Sequence, residues 1–211
     1  MDEAQAYDAF RSTMNEEDTE EKAVINFDRE YSIALNEKNG RDAASSILTT
    51  VRVENNAQLA IAPYYYFTAS IYKGECTSSR VALMTAKSSD TSLYFAEING
   101  EQVWKLVENY LDHTENEFSI TNQYELPILS GMKITVQKEE DGFSLKDITV
   151  DQEEIDKEKE YSILLTDTTR SILEKTIPGC RIKQLQDMTL SSAWTAFMEK
   201  GQQPLAPEDY I

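Results

Sequence analysis

The sequence predicts a mixed α/β domain of the α+β kind, a mixed sheet flanked by helices. Two observations lead there. Short apolar runs of strand length alternate along the chain with amphipathic stretches of helix length, the pattern of layered sheet-and-helix folds. The segment from Leu126 to Asp167 reads as three short strands joined by two turns, LPILSGMKITVQ, then LKDITV, then YSILLTD. With 211 residues, 40% of them hydrophobic, the chain is long enough for one full core plus an appended segment.

The elements follow in order. Residues 1–38 read as an acidic helical N-terminal segment. Ala6, Phe10 and Met14 recur at four-residue spacing, and Val24, Phe27 and Tyr31 follow the charge run NEEDTEEK. Asn39-Gly40 is a break, so the domain proper is expected over 39–211. Asp42 is placed to cap a helix from Ala43 to Val53, and Gln58 to Ala62 forms a short strand before Pro63. Ser78 and Ser79 are placed to cap a short helix through Met84. Ser92 to Ile98 alternates as a strand, and Asn99-Gly100 opens a helix whose Val103, Leu106, Val107 and Tyr110 share one face. After Asp167 a helix runs from Thr168 to Lys175, a strand from Arg181 to Leu185, and a last helix, capped by Ser191, carries Trp194 and Phe197 inward.

Charge narrows the partners. There are 38 acidic against 20 basic residues, a net charge of -18, which repels a nucleic-acid backbone and anionic membrane surfaces. Nucleic acid is therefore excluded as an expected ligand. No apolar run approaches the ~20 residues needed to span a bilayer, so no membrane insertion is expected. The polar opening MDEAQAYDAF reads as a boundary behind which a signal, an anchor or an upstream domain has been cut away.

The chemistry-bearing patterns are sparse. The single histidine, His113 in LDHTEN, has no neighbouring ligand motif, and a two-metal site needs a cluster of ligands around ions about 3.5–4 Å apart. No G-x-S-x-G and no glycine-rich phosphate loop is present. Cys76 and Cys180 have no C-x-x-C spacing and read either as two buried thiols or as a disulfide. No catalytic residue and no metal ligand is assigned.

Several ordered motifs carry a resemblance. Leu126-Pro127-Ile128-Leu129-Ser130-Gly131-Met132 stands where an F-P-Q-V-S-G-L strand is usual. Asp151 to Tyr161 stands where an N-G-x-x-L-D-P-x-K-x-Y turn is usual, and Thr166-Asp167 where a strand ends in N-D. Glu97, Gly100 and Gln102 keep identical places in an L-V-V-V-E-L-T-G-x-Q strand and helix. In these the chain, over roughly residues 40 to 205, resembles the C-terminal domain of the 5'-nucleotidase and UDP-sugar hydrolase family. The resemblance implies nucleotide catabolism outside the cytoplasm, at the surface of a bacterium. It also implies a separate catalytic domain that holds two divalent metals and is not in this chain, which has no cofactor of its own.

In that family the C-terminal domain supplies substrate recognition: an arginine ending N-G-G-G-I-R, two aromatic rings around the base, and a G-G-D-G-Y segment. Here the ligand motifs depart. Pro63-Tyr64-Tyr65-Tyr66-Phe67-Thr68 replaces N-G-G-G-I-R, Ser89-Asp90-Thr91 replaces F-G-N, Leu126 replaces a stacking phenylalanine, and Thr169-Arg170-Ser171-Ile172 replaces G-G-D-G. The substrate-binding candidates are Tyr64, Tyr65, Tyr66 and Phe67, with Arg80 or Arg170 supplying charge and Asp167 kept from the family. Either the rings form a new stacking platform for a nucleotide or nucleoside, or they fill the old pocket as core and rim. Asp167 is also placed to cap the following helix. Two functions therefore stand side by side: the recognition half of a hydrolase, paired with an upstream catalytic domain, or a non-enzymatic cell-surface module that meets a protein partner.

Overall fold

A computed structural model describes residues 23–38, 40–86, 92–112, 125–140 and 142–211. His113, Ser89, Asp90, Thr91 and the spaced Ala6, Phe10 and Met14 lie outside the described residues. The central sheet has five strands: β2 (Leu59–Ala62), β4 (Ser92–Asn99), β5 (Ile128–Ser130), β9 (Glu160–Leu165) and β10 (Ile182–Thr189). Their order across the sheet is β10-β4-β9-β2-β5. The pair β2 and β9 is parallel, and the other neighbours are antiparallel. The mixed sheet expected from the sequence is thus present. Beside it lie a meander of β6 (Lys133–Glu139), β7 (Gly142–Val150) and β8 (Glu153–Glu154), and a two-stranded ribbon of β1 (Ala23–Phe27) and β3 (Gly74–Thr77).

Five described helices pack around these sheets: α1 (Asp42–Glu54), α2 (Ser78–Ala82), α3 (Gly100–Leu111), α4 (Asp167–Thr176) and α5 (Leu190–Met198). The apolar face expected for α3 is the face it buries, Val103, Leu106, Val107 and Tyr110. Its start is fixed by a capping box in which the Asn99 side chain accepts from the Gln102 amide and the Gln102 side chain accepts from the Asn99 amide, both at 2.9 Å. Gly100 is required there because a Cβ would stand 2.2 Å from the Asp156 carbonyl oxygen. In α1 the buried side includes small residues, Ala43, Ala44, Ser45 and Ser46, so neighbouring chain approaches closely. Trp194 and Phe197 of α5 are buried as expected.

Several local expectations are corrected. The spacing of Val24, Phe27 and Tyr31 does not make a helix: residues 23–27 form β1, antiparallel to β3, with Ile25 and Phe27 buried and Asn26 exposed between them. A period of two and a waiting partner strand outweigh a weak three- and four-residue spacing. The run LPILSGMKITVQ is two strands in different sheets, because Gly131 turns the chain at φ +75°. The caps lie one or two residues earlier than the sequence suggests: Arg41 before α1, Thr77 before α2, Thr166 before α4 and Thr189 before α5. Asp42 and Asp167 instead occupy first helical positions, where a carboxylate suits the positive helix end. The last strand runs on to Thr189 rather than stopping at Leu185. Cys76 and Cys180 are separate free thiols, the first buried and the second partly so.

Candidate functional site

Because β2 and β9 are parallel, with Ile61 beside Leu165, the segments that follow them emerge at the same edge of the sheet. Ligand sites in open α/β sheets favour this edge, beyond the carboxyl ends of parallel strands. After β2 comes Pro63 and a single turn of 3-10 helix, Tyr64–Tyr66, closed by the Tyr66 amide on the Pro63 carbonyl and the Phe67 amide on the Tyr64 carbonyl, both 3.2 Å. After β9 comes the N-terminus of α4, where the Thr166 amide donates to Thr169 Oγ1 at 2.8 Å. Tyr94 of β4 sits opposite Leu165 and completes the edge.

The tyrosine turn folds onto α4. The hydroxyls of Tyr65 and Tyr66 share hydrogen bonds with Thr168 Oγ1, at 3.3 and 3.0 Å. The rings stand edge to face in sequence, Tyr64 to Tyr65 at 5.5 Å and Tyr65 to Tyr66 at 4.9 Å between centroids. Tyr66 and Phe67 are buried, whereas Tyr64 and Tyr65 are half-buried. Tyr110 of α3 is buried nearby. Burial first, then the neighbouring phenols of Tyr65, Tyr66 and Tyr64, push its hydroxyl well above the usual tyrosine range. It stays a neutral phenol.

A second cluster flanks the first. Tyr94 donates its hydroxyl to Asp167 Oδ1 at 2.7 Å, and the Arg170 guanidinium lies over the Tyr94 ring at 5.0 Å. Arg170 also faces Asp167 at 3.7 Å and binds Glu174 at 2.6 Å. Burial, reinforced by the bond to Asp167, raises the Tyr94 pKa. The guanidinium of Arg41 lies over the Tyr64 ring, 5.4 Å from its centroid.

Of the residues singled out in the sequence, Tyr64, Tyr65, Tyr66, Asp167 and Arg170 are thus gathered at one sheet edge. Phe67 turns into the core, where it bridges to Thr85. Arg80 stands exposed on α2, and the chain after that helix is tied to the turn through the Ala86 amide on the Tyr66 carbonyl, 2.9 Å. Leu126 is buried. Sequence reasoning missed Arg41, Tyr94 and Thr168. Arg41 and Thr168 read as ordinary helix-start residues and Tyr94 as one position of an alternating strand, so only the folded chain marks them. Among the described residues no group of three His, Cys, Asp or Glu side chains is arranged to hold a metal ion. The Asp167 carboxylate at this edge already faces a phenol and a guanidinium, a donor set that does not suit a pair of divalent metals.

The sequence profile described as 5'-nucleotidase, C-terminal domain, matches residues 12–171. The chain belongs to that family. No curated protein matches it in sequence. Solved structures share its fold. Haemophilus influenzae NAD nucleotidase superposes with a TM-score of 0.69 at 16% identity, over 99% of this chain and 40% of that one. The 5'-nucleotidase precursor of Thermus thermophilus gives 0.65 at 13% identity, over 89% of this chain and 38% of that one. The sulfate thiohydrolase SoxB of the same organism gives 0.65 at 12%, over 99% and 38%. The chain therefore spans about two fifths of the length of these structures.

Proposed function

We propose that this chain is the substrate-recognition domain of a nucleotide-catabolising hydrolase, which holds a nucleoside or nucleotide for metal chemistry carried out by a catalytic domain outside these 211 residues. In such a division the catalytic part supplies metals and water, and this part supplies position. The observation that carries the reading is the tyrosine turn. It stands at the carboxyl edge of β2 and β9, with Tyr64 and Tyr65 half-buried and the turn anchored through Thr168 on α4. A half-buried aromatic face held by its own hydroxyl is suited to stacking, which contributes roughly 1–3 kcal/mol per base. Family membership and the strongly acidic composition support a place outside the cytoplasm, on the surface of a bacterium; among the described residues no helix is long and apolar enough to cross a membrane.

The test is a thermal-shift series with nucleosides, nucleotides and UDP-sugars, since a ligand that binds only the native state raises the melting temperature. A rise with at least one nucleoside, lost in Tyr65→Ala, is expected. No rise at millimolar concentration of any of them would overturn the recognition reading.

One observation favours the second reading, a non-enzymatic interaction module. Arg170 is engaged by Glu174 and Asp167, and Tyr66 and Phe67 are buried, so these side chains have less surface to offer a small ligand. On that reading the same screen is silent and the half-buried rings meet a protein surface.

A further inference from the structure

The last residues of the chain form a strap along α1. Ser46 Oγ donates to the Leu205 carbonyl at 2.6 Å, and the Leu205 amide donates to Thr50 Oγ1 at 2.9 Å. Ser45 Oγ donates to the Glu208 carbonyl at 2.9 Å while accepting from the Glu208 amide at 2.8 Å. Three hydroxyls on one helix face thus stand in for a strand, satisfying the backbone of an extended segment. The strap ends at Tyr210, only 2% exposed, whose carbonyl accepts from the Ile134 amide at 3.0 Å.

The Tyr210 side chain reaches the start of α1. Its hydroxyl accepts from the Arg41 amide at 2.8 Å, one of the amides that a helix start leaves without an intrahelical partner. Arg41 precedes α1 with an extended backbone (φ -122°, ψ 102°) and has no side-chain capping bond of its own. From that fixed backbone its side chain runs out, Nη1 donating to the Ile33 carbonyl at 2.8 Å, to set the guanidinium over the Tyr64 ring. A continuous line of contacts therefore leads from the end of the chain to the aromatic turn.

We propose that Tyr210, acting through Arg41, is a positioning residue for the Tyr64–Tyr66 turn, so that the C-terminal strap sets the geometry of the candidate binding edge. Its consequence for ligands rests on the recognition reading given above; the mechanical coupling does not. A cation held over an aromatic ring favours one ring orientation. Tyr64 in turn abuts Tyr65, whose hydroxyl is tied to Thr168. Releasing the Arg41 amide frees the backbone from which the guanidinium is aimed.

Hydrogen exchange on the full chain without ligand tests the coupling. Tyr210→Phe keeps the buried ring and removes only the acceptor. It is expected to raise exchange at the Tyr66 and Phe67 amides about fivefold, the size of one modest hydrogen bond, while the β9 amides from Ser162 to Leu165 keep their protection. Arg41→Gln is expected to do the same, and the double variant no more than the larger single one, because both act on one path. Glu208→Ala, which keeps the Ser45 bonds to the backbone of residue 208 and removes only the side-chain bonds to Arg52, Ser130 and Gly131, is the control: it lowers global stability with no selective gain at Tyr66 and Phe67. Unchanged exchange at those two amides in Tyr210→Phe, or effects of Tyr210→Phe and Arg41→Gln that simply add, would overturn the proposal. The two readings fail separately: faster exchange with no nucleoside-induced thermal shift keeps the coupling and removes the recognition reading.

Discussion

The Glu208 carboxylate binds the Arg52 guanidinium at 2.9 Å, and its other oxygen accepts from the Gly131 amide at 2.7 Å and from Ser130 Oγ at 3.0 Å. One residue near the end of the chain thereby joins α1 to the turn between β5 and β6. Arg52 adds bonds to Ser130 Oγ and to the carbonyls of Ala57 and Gln58. The Arg52 side chain is 14% exposed and that of Glu208 35%. Removing the carboxylate takes the counter-charge from a largely buried cation, which keeps its neutral acceptors, and takes the side-chain acceptor from the Gly131 amide. Glu208→Ala should cost about 2 kcal/mol in urea unfolding, and Glu208→Gln less, since an amide oxygen still accepts. A loss below about 0.5 kcal/mol would show that water replaces the carboxylate without penalty.

Gly131 itself tolerates no side chain. Its φ is +75°, and a Cβ there would lie 2.0 Å from the Gln58 carbonyl oxygen, which belongs to backbone and has no room to move. Gly131→Ala should destabilise by roughly 2 kcal/mol or more, measured by denaturant titration. A neutral effect would contradict the close approach of the β5–β6 turn to Gln58.

Stability should fall in alkali. Burial pushes the Tyr210 phenol from its ordinary value of 10.0 up to about 12, against the opposing pull of the Arg41 amide. Because the folded pKa lies above the unfolded one, the neutral phenol's contribution is fully present below pH 10. The unfolded chain loses its proton first, and the contribution is lost as pH rises from 10 towards 12. A difference of that size corresponds to roughly 2–3 kcal/mol as an upper bound. Tyr94 and Tyr110 shift in the same direction and add to the fall. Tyr210→Phe should flatten the decline of melting temperature across this alkaline range; an identical profile would contradict the buried phenol.

Thr168 serves two phenols at once. In Thr168→Val the hydroxyls of Tyr65 and Tyr66 lose their shared partner. The cost should be about 1 kcal/mol, concentrated on Tyr66, which is 3% exposed and has less access to water. Thermal unfolding of Thr168→Val, alone and with Tyr66→Phe, measures it: the second change should cost less in the valine background than in the native one.

The two thiols should label in order. Cys180 is partly exposed, and burial raises its pKa above 9.0, so it reacts slowly with a disulfide reagent at neutral pH and faster as pH rises. Cys76, 6% exposed, should react only on unfolding. Equal rates in the native protein would be inconsistent with this burial.

Much of the domain is legible in the sequence. The α3 face of Val103, Leu106, Val107 and Tyr110, the Asn99–Gln102 start, the strands around Ala60, Phe95 and Ile163 and the family itself all follow from local pattern and ordered motifs, because period and capping chemistry act within a few residues. The sequence points to helix where β1 forms, since its alternation spans only five residues and its partner β3 lies about fifty residues away. What the sequence alone determined is therefore the class of fold and the family. What only the tertiary structure decided is which side chains meet at the sheet edge. Arg41, Tyr94, Thr168 and Tyr210 are spread over some 170 positions; parallel pairing of β2 with β9 and a strap along α1 bring Arg41, Thr168 and Tyr210 to one line of contacts, with Tyr94 in the cluster beside it. Packing between distant segments has no period and no motif, so no local reading of the chain contains it.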